Sequence, residues 1–446
     1  MPSREGVQQG FPSAMSTGSA GARGRQEFVA QGVALSGGRV RFHCVDPGGR
    51  TDCIMRYAVL FIAWLTGFAF ADPEITVIDL ATDSERITLV DREKGQYLGH
   101  VSTCLLDDGK TILAVYPKGH GRGAIVYKRS VNGGNSWGER LPTPASWETS
   151  REVPTLHRMT GPDGKKRIIL WSGLYPARNA ISEDEGRTWS ELKKAGDWGG
   201  IVVMGSHMEL KTGKGHYMCV FHDDGRFFKE AGKLGRPVVF SLYRTVTRDG
   251  GLTWSYPEAL QSDSGVHLCE PGLVRSPDGR QIAMLLRENF RRRNSHIMFS
   301  NDEGKTWSKP RELPVTLTGD RHTCRYAPDG RLVIVFRGRY ARGNALPPVD
   351  GDCTAWVGRY EDLVKGRPGQ YVLRLLDNKK GHDTTYPGVE VLPDEIGSFI
   401  VTTYGHWTEG ESPYIVNTRF FMEELDSLAE QGTKIRLSED FMKVEK

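Results

Sequence analysis

Six times along the chain, a short segment that starts with polar residues leads through a turn into a run that is apolar at nearly every position. The segments begin at Tyr97-Leu98-Gly99-His100, Arg151-Glu152-Val153-Pro154, Met204-Gly205-Ser206-His207, His267-Leu268-Cys269-Glu270, Asp320-Arg321-His322 and Asp383-Thr384-Thr385-Tyr386. The apolar runs cover residues 111–116, 167–171, 216–221, 281–286, 331–336 and 398–403. Unbroken runs of this length, rich in β-branched and aromatic side chains, read as strands packed on both faces. Near the C-terminus the period changes. Phe421, Leu425 and Leu428 fall at helical spacing within residues 420–431, which predicts a short packing helix followed by a charged tail.

Four hairpin motifs interleave with these pairs, at residues 130–137, 182–189, 247–254 and 300–307. Each reads Ser/Thr, any, Asp/Asn, any, Gly, any, Thr/Ser, Trp. The acidic or amide side chain (Asn132, Asp184, Asp249, Asp302) can accept from turn amides, and the glycine (Gly134, Gly186, Gly251, Gly304) supplies the positive φ of the reversal. The tryptophan anchors the hairpin under its sheet. The first positions are 52, 65 and 53 residues apart, the period of a four-stranded propeller blade with variable loops. The expectation is an all-β chain: a six-bladed β-propeller of four-stranded antiparallel blades over residues 72–418, with the helix and tail in residues 419–446. The 53 glycines and 10 tryptophans fit many turns and many anchored hairpins.

In a propeller the innermost strands line the central channel. The polar residues that open the first strands, and those just past the second, therefore gather around one axis. This set contains His100, His120, Arg122, Glu152, His207, His267, Glu270, Arg287, Arg321, His322, Arg337 and Tyr386. It predicts a pocket rich in histidine and arginine. The net charge of +4 is too balanced for a nucleic-acid partner and no nucleic-acid motif occurs, whereas a local cationic pocket suits an anionic ligand. No His-Glu-x-x-His or similar spacing occurs, so the histidines read as substrate-binding donors and neither a metal nor a cofactor is expected. Cys104, Cys219, Cys269, Cys324 and Cys353 are too widely spaced for a disulfide framework and read as buried thiols.

Residues 1–54 are rich in Gly, Ser, Arg and Gln without an apolar period, which predicts disorder or a position upstream of the true start. Residues 55–71 then show a basic start, a short apolar core and an Ala69-Phe70-Ala71 end, the three parts of a secretory signal peptide. The run is short for a stable membrane span. Translation from Met55, a mature chain from near Asp72 and export to the periplasm or medium are the corresponding expectations.

The four hairpin motifs resemble the Asp boxes of the sialidase-like (BNR-repeat) propellers. The stretch from Glu270-Pro271-Gly272-Leu273-Val274-Arg275 through Arg287 is similar to the sialidase segment that carries the catalytic glutamate and a carboxylate-binding arginine. Tyr386-Pro387-Gly388-Val389-Glu390-Val391 resembles the segment that carries the tyrosine nucleophile. The resemblance implies an exo-α-sialidase acting on glycans with an anionic terminal sugar, with Tyr386 as nucleophile, Glu270 as its base and Arg287 as a clamp. Arg337 is the better candidate for a second clamp, with Arg339 and Arg359 behind it. Sialidases open the first blade with an arginine before Ile-Pro and place an aspartate acid later in that blade. Here Gly99-His100-Val101 and Lys118-Gly119-His120-Gly121-Arg122-Gly123 stand at those places. By position, Arg122 is the candidate replacement for the arginine, and His120 or Glu152 for the acid. A hydrolase of another acidic or sulfated glycan and a non-catalytic carbohydrate-binding propeller are the other readings.

Overall fold

A computed structural model describes residues 74–228, 240–262, 265–340, 346 and 349–437. The upstream segment, the signal peptide and the expected start near Asp72 all lie outside the described residues. The described chain is an all-β, six-bladed propeller, and within each blade consecutive strands pair antiparallel from channel to rim, with one added parallel strand outside blade V.

Blade I pairs Ser102–Leu105, Ile112–Pro117 and Ile125–Ser130. Its fourth position is taken by residues 138–141, whose Gly138 and Leu141 amides donate to the Arg129 and Tyr127 carbonyls. Blade II holds Thr155–Thr160, Lys166–Ser172, Arg178–Ser182 and Lys193–Lys194, and blade III holds Ile201–Glu209, Tyr217–Asp223, Ser241–Thr247 and Glu258–Ser262. Blade IV holds Leu268–Arg275, Ile282–Glu288, His296–Ser300 and Arg311–Glu312. Blade V holds Gly319–Tyr326, Leu332–Gly338, Cys353–Gly358 and Tyr371–Leu376. Blade VI takes three strands from the end of the chain, Gly388–Val391, Phe399–Gly405 and Tyr414–Phe420. Its outer strand is Ile87–Asp91, so the beginning of the described chain closes the ring.

The second strands match the apolar runs of the sequence and extend one or two residues further at their C-terminal ends. Those of blades I, III and V are buried along their whole length. The helix expected at residues 420–431 forms over Met422–Ala429 and buries Met422 and Leu425. The tail then forms a strand, Thr433–Arg436, antiparallel to Glu74–Asp79, which itself runs parallel to Tyr371–Leu376 and widens blade V to six strands. All five described cysteines are buried free thiols.

The Asp boxes form the expected networks. In blade II, Ser182 Oγ donates to Asp184 Oδ1 (2.8 Å) and accepts from the Gly186 amide (2.8 Å), while the Thr188 amide donates to Asp184 Oδ1 (2.9 Å). Their anchorage differs from the expectation in one respect: each box packs on the preceding blade. A Cβ on Gly186 would lie 2.4 Å from Tyr127 Oη and 2.6 Å from Leu113 Cδ1 of blade I. Gly251 likewise faces Ile169 and Met159 of blade II, and Gly304 faces Met218 of blade III. Trp189 joins Tyr127 and Trp147 in edge contacts at 6.0 and 5.4 Å. The glycine thus serves a positive φ and a close approach together, and the boxes latch neighbouring blades.

Candidate active site

In five blades a non-glycine residue in the left-handed region lies in the inner strand, as Val202 (φ 51°), Glu270 (52°) and Arg321 (56°) do, or just before it, as His100 (50°) and Thr385 (54°) do. In blades III, IV and V this residue lies where the ladder slips, between Ile201 and Ser206, Cys269 and Gly272, and Asp320 and Thr323. A bulge re-aims a side chain, and a left-handed backbone with a Cβ costs about 1–2 kcal/mol, so the fold sets aside stability at these positions. His100, Glu270 and Arg321 are thereby turned toward the Tyr386 ring.

Tyr386 Oη donates a short hydrogen bond to Glu270 Oε1, and the same oxygen accepts from Arg287 Nη1 at 2.6 Å. Burial opposes ionisation of Glu270, but Arg287 overrides it and holds the carboxyl below its usual range. Burial, reinforced by Glu270, pushes the Tyr386 phenol well above its ordinary value. The resting pair is therefore a carboxylate and a neutral phenol joined by one proton. Two guanidinium groups flank the ring, Arg337 at 5.7 Å and Arg321 at 6.0 Å from its centroid, and His100 meets it edge-on at 4.3 Å.

Behind these arginines lies Asp320, fully buried, a residue the sequence pattern contained without marking it. It accepts from Arg337 Nε (2.8 Å) and Nη2 (2.5 Å), pairs with Arg291 Nη1 (2.5 Å), and sits 3.3 Å from Arg287 Nε. Burial would raise its pKa, and the three arginines overcome that and depress it. Arg291 thus reaches in from its loop. Arg321 is different: its Nη1 donates to the Gly205 carbonyl across the channel (2.6 Å), and it forms no ion pair among the described residues.

His100 lies just before the inner strand of blade I and carries no charge, because burial holds its pKa well below the usual imidazole value. Next to it, Tyr97 Oη donates to Asp383 Oδ1 (2.7 Å) and lies 2.7 Å from His120 Nδ1. Tyr404 Oη also donates to Asp383 Oδ1, at 3.1 Å. Glu152 is buried on the flank, its Oε1 accepting from the Val153 amide (2.8 Å), and burial raises its pKa to about 7. The Cβ that Gly121 lacks would sit 3.8 Å from both Glu152 Oε1 and His100 Cε1.

Glu270, Arg287, Arg321, Arg337, Tyr386, His100 and His120 thus converge, with Glu152 alongside. The other candidates stand apart. His207 lies past the blade III bulge and pairs with His157 (Nδ1 to Nδ1, 2.9 Å). His322 follows left-handed Arg321, so strand alternation turns it away from the mouth, onto Phe336 at 5.3 Å. His267 is stacked between Phe240 (5.1 Å) and Phe290 (3.7 Å). Arg122 is exposed and shares an open groove with His120, Lys118, Ser150 and Arg151, so it adjoins the cluster only on the outer side of that histidine's loop. Arg359 starts the outer helix Tyr360–Lys365, far from the channel side of blade V. Asp320, Asp383, Tyr97 and Tyr404 were missed; Tyr97, Asp320 and Asp383 each open one of the six polar segments, and that position was their signal. Among the described residues, no group of three or more His, Cys, Asp or Glu side chains could hold a metal ion.

The architecture and the Asp boxes define a sialidase-like propeller. Residues 166–344 match the BNR repeat-like domain family. The fold is similar to that of a protein of unknown function from Dyadobacter fermentans, with 17% identity and a TM-score of 0.58 over 76% of this chain and 98% of that one. It is also similar to the NanB sialidase of Streptococcus pneumoniae (10% identity, TM-score 0.51, 76% and 71% of the two chains). A third is the leech intramolecular trans-sialidase (14%, 0.50, 76% and 69%). No curated protein sequence matches the chain.

Proposed function

We propose that the protein is a secreted glycoside hydrolase of exo-α-sialidase type, which removes a terminal sialic acid or a related acidic sugar from glycans. The observation that carries this reading is the hydrogen bond that Tyr386 donates to Glu270, with two arginines against the phenol ring. A sugar with its own carboxylate beside the anomeric carbon would repel a carboxylate nucleophile, and a neutral phenol avoids that repulsion. A phenol with a raised pKa needs a base in hydrogen-bond contact, and Glu270 is ionised and in place. As the phenolic oxygen bonds to the anomeric carbon, its proton passes to Glu270. When the glycosyl–tyrosine bond is later hydrolysed, Glu270 returns it.

Arg287 and Arg337 are the proposed carboxylate clamps, each already fixed by a buried acid. Their forks are held in one geometry before substrate arrives, which reduces the ordering cost of binding. Arg321 adds a cation with no acid attached. The sialidases among the structural neighbours agree with this substrate class, and the signal-peptide-like sequence pattern of residues 55–71 agrees with an extracellular glycan.

Hydrolysis of an aryl sialoside, followed by a panel of aryl uronides and neutral glycosides, tests the reading. Cleavage of an anionic glycoside that Tyr386→Phe abolishes is expected. Cleavage unchanged in Tyr386→Phe removes the mechanism, and tight glycan binding without turnover turns the protein into a lectin. Intact-mass measurement of the exported protein tests a mature start near Asp72.

A further inference from the structure

We propose that His120, held by Asp383 and Tyr97, is the proton donor to the leaving group, a role that rests on the glycosidase reading above. Three observations carry the assignment.

The first is the proton count. Tyr97 Oη has one proton and gives it to Asp383 Oδ1 (2.7 Å), so at its 2.7 Å contact with His120 it must accept. Neutral His120 is therefore the tautomer with its hydrogen on Nδ1, which also faces Asp383 Oδ1 at 3.3 Å. Nε2 is left as the site that gains and loses the second proton. Tyr404 Oη also donates to Asp383 Oδ1 at 3.1 Å, so two tyrosine hydroxyls converge on this one carboxylate oxygen.

The second observation is how the loop is built. Gly119 (φ 150°), Gly121 (φ 76°) and Gly123 (φ 129°) surround His120 with backbone that side chains rarely adopt. A Cβ on Gly119 would lie 2.4 Å from the Arg122 carbonyl oxygen, and one on Gly123 would lie 2.3 Å from that of Lys118. The turn is closed by the Lys118 amide donating to the Ala124 carbonyl (2.9 Å). At the other end, a Cβ on Gly99 would collide with Tyr97 Cε1 at 2.5 Å, so glycine there lets the tyrosine fold back onto the imidazole. Four glycines thus serve the placement of one side chain.

The third is position. His120 is 65% exposed at the mouth, and its ring meets His100 edge-on at 4.7 Å, while His100 in turn meets Tyr386 at 4.3 Å. The imidazole is one ring away from the phenol, on the solvent-exposed side of His100. Glu152 is the rival, but it is buried behind Gly121 with one oxygen tied to the Val153 amide.

In the first half-reaction, the Nε2 proton of doubly protonated His120 passes to the glycosidic oxygen. The carbon–oxygen bond breaks as Tyr386 bonds to the anomeric carbon and gives its own proton to Glu270. In the second, neutral Nε2 takes a proton from the attacking water, the tyrosine leaves, and Glu270 reprotonates it. The net reaction is hydrolysis.

The experiment compares His120→Ala, Asp383→Asn and Glu152→Gln on two substrates of one sugar, with a 4-nitrophenyl and a methyl or galactosyl leaving group. His120→Ala is expected to lose roughly 10²–10⁴-fold in kcat/KM on the unactivated substrate and much less on the aryl glycoside. Added imidazole should restore part of the loss, and Glu152→Gln should show no such split. A leaving-group split in Glu152→Gln and none in His120→Ala overturns the assignment, as does an equal loss by His120→Ala on both substrates. ¹⁵N NMR of the intact protein reads the dyad without turnover: neutral His120 carrying its hydrogen on Nε2 overturns it too. Absence of turnover on every glycoside, with the Nδ1–H tautomer found, defeats the glycosidase reading and the donor role with it while leaving the dyad standing.

Discussion

Tyr386 of blade VI and Glu270 of blade IV, 116 residues apart in sequence, share a hydrogen bond at the channel mouth on a carboxylate oxygen that Arg287 also holds. The proposed nucleophile and its proposed base therefore depend on two separate blades keeping register. Removing either end of the bond separates chemistry from binding. Tyr386→Phe and Glu270→Gln are each expected to lower kcat/KM on an anionic aryl glycoside by about 10²–10⁴-fold. The far-ultraviolet spectrum and substrate Kd should change little, and the double variant should lose scarcely more than either single one, since the two act as a unit. Kinetics with binding measured by calorimetry decides this.

Asp320 carries a different load. It holds Arg337 and Arg291 by hydrogen bonds and lies against Arg287, with no exposure of its own. Asp320→Asn removes the shared counter-charge and leaves cations in a buried site, a loss of about 3–5 kcal/mol by the measure of broken buried pairs. Urea unfolding should show a lowered midpoint at unchanged slope. By contrast, Arg122→Ala, on the exposed groove, should leave the midpoint unchanged.

The fold was legible because it repeats: four Asp boxes and six polar-to-apolar strand pairs announce the blade period, and the apolar strands fall where the runs place them. Tyr386, Glu270, Arg287 and Arg337 were equally legible, since each sits at one end of an inner or second strand. What could not be read was facing. His322 and Arg321 are adjacent, yet only the left-handed backbone at Arg321 turns that side chain to the mouth and sends His322 into the blade. Such bulges follow from tertiary contacts, as at Gly272, where a Cβ would lie 2.1 Å from the His322 carbonyl oxygen. Asp320 escaped notice for a related reason. Its one mark was its place at the head of a polar segment, and its partners come from two other stretches of the chain, residues 287–291 and Arg337.

The inter-blade latch can be isolated by comparing two glycines with the same backbone. Gly186 (φ 74°) faces Tyr127 Oη at 2.4 Å, whereas Gly164 (φ 79°) has nothing within 4 Å of its absent Cβ. Gly164→Ala should cost only the left-handed strain, about 1 kcal/mol. Gly186→Ala adds overpacking against blade I, typically about 1–3 kcal/mol more. Equal losses in thermal unfolding would remove the latch from the account.

Glu152 makes the last prediction, and its sign follows from linkage. Burial raises its folded pKa from the ordinary 4.5 to about 7, so the folded state holds this proton more tightly than the unfolded chain does. Stability from this residue is fully present below about pH 4.5, falls as pH rises, and is exhausted once the pH passes about 7. The shift corresponds to about 3 kcal/mol across that window. Glu152→Gln keeps the shape and the acceptor for the Val153 amide but cannot ionise. It should therefore match the wild type near pH 4.5 and exceed it by up to that amount at pH 8. Urea midpoints at the two pH values give the answer; a variant no more stable at pH 8 than the wild type would show that Glu152 is solvated and ionises at its ordinary value.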